Sequence, residues 1–202
     1  MSIYLLQGLA LGLAAAAQPG PLTAYLVNQT LAIGFRKTWI SAFAPLISDG
    51  PIILVALLVL TQMPAWLQRG LNLASGAFIL FLAWNAFKQW RSYVSPDQVT
   101  LTNSRRSLFK AALMNTLNPM PYIYWGLVAG PILLTGWREN PFNGFCFLGG
   151  FYIIMIVGLL AILALFSTAR NLGSRVSRAL LGLSVLALGG FGLLQLWHGL
   201  NG

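Results

Sequence analysis

Asp49 stands in the middle of an apolar stretch, PLISDGPIIL, with Ser48 before it and Gly50-Pro51 after it. In a bilayer-crossing segment a charged side chain at that depth costs about 2.5–3.5 kcal/mol, and such residues face a cavity, a partner or a proton path. The chemistry open to an isolated acid there is reversible cation binding. A proton and an ammonium group would compete for one carboxylate, and such competition is sufficient for antiport. A neutral carboxylic acid bonded to a nearby carbonyl is the other arrangement the position admits. The chain has three acidic residues; Asp97 and Glu139 fall in polar segments, Glu139 beside Arg138, where solvation is expected.

Two proline motifs interrupt apolar runs: Gln18-Pro19-Gly20-Pro21, and Asn118-Pro119-Met120-Pro121 one hundred residues later. Each interior proline removes a backbone hydrogen bond and crowds the carbonyl one turn back, and the residue before it avoids helical angles. Non-helical backbone inside a membrane survives where it is buried in protein or faces water. A plain kink that only shapes packing is open at either motif; the matched pair favours a functional break. The segments after Pro21 and after Pro121 would then begin half-helices whose free N–H groups and positive dipole ends suit a carboxylate. Gln18, Asn115 and Asn118 can hydrogen-bond within the gap, and Tyr122 and Tyr124 bring hydroxyls. A zwitterion, with its amino group near Asp49 and its carboxylate on a helix end, matches both poles.

Other chemistries lack their residues. The one cysteine, Cys146, excludes an internal disulfide and a two-thiol relay. His198 is the one histidine and lies near the end of the last apolar run, the place of an interfacial anchor. No metal-ligand spacing, Walker motif or GxGxxG loop occurs, so neither a metal, a bound cofactor nor an ATP-driven pump is expected. A membrane-embedded enzyme acting on a lipid or thiol would need a nucleophile or an acid/base pair, and Asp49 has no second carboxylate or histidine at its depth. A small passive channel or accessory subunit is a further alternative, but it needs no coupling carboxylate.

The elements that must position these residues are set by composition. Of 202 residues, 57% are hydrophobic and 7% charged, against about a quarter charged in a soluble domain. The fold class is therefore an all-α, polytopic membrane protein. Apolar runs at about Ile3–Ile33, Trp39–Leu60, Trp66–Phe87, Leu108–Thr135, Phe142–Phe166 and Leu180–Trp197 give six spans. The first would be a helix of roughly 45 Å if unbroken, well beyond a hydrocarbon core of about 30 Å. Residues Leu5 to Gln18 also resemble a signal-peptide core, but no Lys or Arg precedes them, so they read as a span. The triplet Asn28-Gln29-Thr30 has a glycosylation pattern yet lies inside that span.

The net charge of +9 gives orientation rather than a nucleic-acid partner. Arg36, Lys37, Lys88, Arg91, Arg105, Arg106, Lys110, Arg170, Arg175 and Arg178 fall on one side, which makes ten of the twelve basic residues. Arg69 and Arg138 fall on the other. The positive-inside rule puts both termini outside. Trp39, Trp66, Trp90, Trp137 and Trp197 mark run ends at the headgroup level, whereas Trp84 and Trp125 lie further in and read as packing residues.

Three spans (residues 1–87) precede a cytoplasmic linker (88–106) and three follow it (107–202). An odd number per half turns the second half over, and the first span of each half carries the proline motif. Two inverted three-helix repeats, each with its first helix broken, are a mark of secondary transporters with a midplane site. Gly8/Gly12 and Gly126/Gly130 have GxxxG spacing, and Gly189, Gly190 and Gly192 cluster in the last run; these allow close helix approach within the chain or in a homodimer.

The chain resembles the LysE/RhtB superfamily of bacterial amino-acid exporters. The likeness rests on Pro19-Gly20-Pro21, then Gly34, Arg36 and Lys37 in the first cytoplasmic loop, Ser48-Asp49-Gly50 where the family commonly has a Gly-Asp pair, and Asn118-Pro119 in the second half. It implies proton-driven efflux of a small solute across the inner (plasma) membrane. The basic-amino-acid branch has an aspartate shortly after the Asn-Pro motif, where this chain has Tyr124, and the Asn that often follows Pro-Gly-Pro is Leu22. With one membrane carboxylate rather than two, a neutral amino acid or another small polar metabolite fits as well as lysine or arginine.

Overall fold

The computed structural model describes residues 2–58, 65–91, 104–170 and 174–201. Among them every regular element is helical: α1 (Ser2–Ala17), α2 (Pro21–Ile33), α3 (Phe35–Thr38), a 3-10 turn (Trp39–Phe43), α4 (Ala44–Leu58), α5 (Ala65–Arg91), α6 (Ser104–Leu117), α7 (Pro119–Tyr124), a π turn (Trp125–Ala129), α8 (Gly130–Glu139), α9 (Pro141–Arg170) and α10 (Ser174–Asn201). Phe35–Ala56, Pro141–Ala169 and Arg178–Asn201 are long and apolar enough to cross a membrane; Ile3–Ala17 is apolar but shorter.

Both proline motifs interrupt helix. Between α1 and α2, Gly20 is extended (φ −166°, ψ 177°) and Pro21 opens α2. Between α6 and α7, Asn118 is extended (φ −71°, ψ 126°) and Pro119 opens α7. The second half-helix thus begins at Pro119 and not after Pro121 as expected, because proline is well placed in a first helical turn, where its missing N–H leaves no gap. A further irregularity, the π turn, precedes Pro131 near the start of α8. Widening the turn makes room for a proline that supplies no N–H.

Several helices outrun their apolar runs. Lys88 to Arg91 form the last turn of α5 and Ser104 to Arg106 the first turn of α6; the rest of the expected linker, Asp97 included, lies outside the described residues. At the basic end, Trp90 Nε1 donates to the Arg178 carbonyl at 3.0 Å, and the Arg178 guanidinium lies 5.8 Å from the Trp90 ring. The last turn of α5 and the first turns of α10 are thereby joined.

Two helix pairings are the most extensive, α1 with α9 and α5 with α10. In the first the helices run parallel, with Gly150 against Leu5 and Gly158 against Ala16. A Cβ on Gly8 or Gly12 would collide with the carbonyl oxygen of Phe147 or Phe151. These glycines are therefore accounted for within one chain. Their absent side chains let backbones approach where helices gain no hydrophobic advantage from contact. A Cβ on Gly126, Gly189 or Gly190, in contrast, meets nothing within 4 Å.

At the centre lie Trp125, Phe147 and Phe151, each at most 1% exposed, with Trp125 and Phe151 ring centroids 5.0 Å apart. Trp125 is the packing residue expected of it; Trp84 is not. It is 56% exposed, with Lys88 Nζ 5.5 Å from its ring. The buried residues of α5 (Asn72, Ser75, Ile79, Leu82, Ala83 and Ala86) recur at helical spacing and leave Trp84 on the opposite, outward face.

Candidate functional site

The interruptions meet at one cavity of about 870 Å³. Its wall includes Gln18, Pro19, Gly20 and Pro21 from the first break, Asp49 from α4, Asn115 from α6, and Asn118, Pro119, Pro121 and Tyr124 from the second break and α7. Trp125 and Phe151 add aromatic surface, and Met155, Leu159 and Phe191 aliphatic and aromatic surface from α9 and α10. Of the twelve residues expected to form a site, ten line this cavity and Ser48 and Tyr122 do not.

Asp49 is 4% exposed. Asn115 Nδ2 donates to its Oδ1 at 2.8 Å, and the Tyr152 hydroxyl donates to its Oδ2 at 3.2 Å. Both oxygens are thus held by neutral donors from two other helices, α6 and α9. Asn115 Nδ2 also donates to Ser48 Oγ at 2.8 Å, while Ser48 Oγ donates back to the Ala44 carbonyl at 3.0 Å. Ser48 therefore stands behind the carboxylate, orienting the amide that holds it. Hydrogen bonds to an ionised group are roughly twice as strong as neutral ones, so this arrangement suits a carboxylate that must stay in place when unoccupied.

The two helix starts differ. α2 has no side-chain cap, and Leu22 and Thr23 in its first turn line the cavity. At α7, Asn118 Oδ1 accepts from Met120 N at 3.1 Å and from Gln195 Nε2 at 3.2 Å, so that end carries its own cap. The start of α2 is the one of these two left open to an anion.

The tyrosines serve the scaffold through their hydroxyls. Tyr122 donates to the Thr116 carbonyl at 2.9 Å, bridging the break from within, and Tyr124 donates to the Leu11 carbonyl at 3.0 Å while its ring faces the cavity. The second break leaves the Thr116 carbonyl without its i+4 donor, since Met120 N–H goes to Asn118, and the Tyr122 hydroxyl supplies one; the Leu11 carbonyl lies within α1, and Tyr124 is an added donor that ties α7 to that helix.

Sequence reasoning missed seven polar contributors: Thr23 on α2, Tyr152 on α9, Asn72 and Arg69 on α5, and Gln195, His198 and Asn201 on α10. Asn72 and Gln195 stand inside apolar runs, which was the available signal. Arg69, read as lying on the less basic side, and His198, read as an anchor, both line the cavity together with Trp197. The cavity thus extends from the breaks toward the end of the bundle opposite the basic one. Among the described residues no group of three His, Cys, Asp or Glu is placed to hold a metal ion.

The profile of the family described as LysE type translocator matches residues 13–199, nearly the whole chain. No curated protein and no solved structure matches it. Translocators of this kind are membrane transporters, not enzymes, and export amino acids or related compounds. With every regular element among the described residues helical, and two proline breaks that share one cavity with the buried Asp49 carboxylate, the chain belongs to the LysE type translocator family.

Proposed function

We propose that this protein is a secondary exporter that carries amino acids or related small polar metabolites out of the cytoplasm by proton-coupled antiport. The observation that carries the reading is Asp49, 4% exposed, its two oxygens held by neutral donors, on the wall of a cavity shared by both interrupted helices. The substrate's ammonium group binds Asp49, and its carboxylate binds the uncapped start of α2, with Gln18 and Asn118 beside it. A proton arriving from outside displaces the ammonium from Asp49, and solute and proton exchange on one carboxylate. No cofactor or metal takes part.

The architecture in this reading is six spans in two inverted repeats, residues 1–87 and 107–202, joined by a cytoplasmic linker at 88–106. Both termini lie outside a bacterial-type inner membrane, and ten basic residues mark the cytoplasmic face. The parallel course of α1 and α9 agrees with this arrangement, since both would start outside. The cavity, reaching Arg69, His198 and Asn201, then faces outward. A homodimer would use the open glycine face at Gly189 and Gly190.

Reconstitution in liposomes with an imposed pH gradient tests the reading. Gradient-dependent movement of one or more amino acids is expected for the natural protein, and its loss in Asp49→Asn, which keeps the shape of the side chain. Full coupled transport by that variant would end the carboxylate mechanism.

A further inference from the structure

Between the cavity and the basic end, α2 presents a row of buried polar side chains to its neighbours. Asn28 is 1% exposed and Thr30 0%; Asn28 faces Ser184 on α10 (5%), and Tyr25 faces Ser107 on α6 (1%), which Ser41 in the 3-10 turn (0%) also meets. Asn28 Nδ2 donates to Ser184 Oγ at 2.9 Å, Ser41 Oγ donates to Ser107 Oγ at 3.1 Å, and the Tyr25 hydroxyl lies 3.5 Å from Ser107 Oγ. Asn28 Oδ1 and Thr30 Oγ1 have no hydrogen-bond partner among the described residues.

Polar residues do join helices in a membrane, but glue of that kind has its groups satisfied. A buried acceptor left unpaired costs about 1–3 kcal/mol, and apolar packing would avoid that cost. Side chains that carry such groups at a helix seam are suited to a partner that comes and goes. The seam also follows directly from the cavity, since α2 has its first turn on the cavity wall and its last at Ile33.

α2 is a separate segment set off from the helices before and after it. Helix is broken at both its ends: Gly20 precedes it in extended backbone, and Gly34 follows it at φ 86°. That left-handed angle is open to glycine and strained for other residues.

We infer that the seam between α2 and α6/α10 is the cytoplasmic half of the solute path, closed here, and that α2 is the segment whose displacement opens it. The direction of travel rests on the exporter reading above; the existence of the path does not. The seam side chains named here are uncharged, and its basic end adjoins Arg36 and Lys37 on α3, which packs on α6, and Arg106 next to Ser107. That pairing of uncharged hydrogen-bonding walls with a cationic mouth admits a net-neutral zwitterion and disfavours a solute of net positive charge.

The test uses the full chain with Cys146→Ala. Ser184→Cys on the seam and Ala86→Cys, comparably buried on α5 and so outside the α2, α6 and α10 seam, are exposed to a membrane-impermeant maleimide in inside-out vesicles. Ser184→Cys is expected to react at least ten-fold faster. The pair Asn28→Cys with Ser184→Cys, oxidised to a disulfide, is expected to lower efflux at least ten-fold, with recovery on reduction. Dibasic amino acids should leave more slowly than neutral ones. Equal labelling of the two buried positions, or undiminished efflux after cross-linking, overturns the path. Seam labelling without efflux from any form of the protein overturns the exporter reading and leaves the path standing.

Discussion

Asn115 on α6 donates to Asp49 on α4 at 2.8 Å, so the second interrupted helix holds the acid contributed by the first half of the chain. Truncating that amide in Asn115→Ala leaves Ser48 and one carboxylate oxygen without their donor. A hydrogen bond to a charged group contributes about 1.5–3 kcal/mol. Lower thermal stability in detergent and at least ten-fold slower transport are expected. Tyr152→Phe, which leaves the Asn115 contact intact, should fold normally and lose less.

If Asn115 and Asp49 act as one unit, their effects will not add. Asn115→Ala placed on Asp49→Asn should lower transport little beyond Asp49→Asn alone. Additive losses in a double-mutant cycle would separate the two residues.

Gly12→Leu forces a side chain into the Phe151 carbonyl and should prevent α1 from seating on α9. Overpacking of this kind costs about 1–3 kcal/mol or more, and loss of monodisperse protein on size exclusion is the expected readout. Gly189→Leu, with open space at the same atom, should leave the monomer intact. If the homodimer uses that face, this variant will run as a monomer.

Arg69 is a cavity-lining cation with an exposed side chain. In the proposed orientation it lies on the outward side, where it would meet the carboxylate of a departing zwitterion. Arg69→Gln should raise the external concentration needed for half-maximal exchange about ten-fold, equivalent to about 1.4 kcal/mol, with little change in the fold. An unchanged concentration dependence would remove Arg69 from the path.

Orientation is checked with single thiols on Cys146→Ala. Thr168 near the end of α9 and Glu139 at the end of α8 are both exposed. Thr168→Cys should react with an impermeant reagent only from the cytoplasmic face and Glu139→Cys only from outside. The reverse pattern would invert the topology.

What the chain alone determined was chemical and local. Its composition required lipid as solvent, Pro19-Pro21 and Pro119-Pro121 marked where helix would kink or break because proline cannot close the backbone ladder, and the placement of Asp49 marked it as the costly residue. Tertiary structure decided everything that depends on which helix faces which. Tyr152 reached Asp49 from 103 residues away, Arg69 and His198 turned into the cavity, Tyr122 was drawn to an orphaned carbonyl and Tyr124 to the backbone of α1, and Trp84 was left on the outer face. The reason is physical. In an apolar chain nearly every helix face is hydrophobic, so periodicity does not reveal the inward side. Glycine-guided close approach, between α1 and α9 and between α5 and α10, chooses it instead.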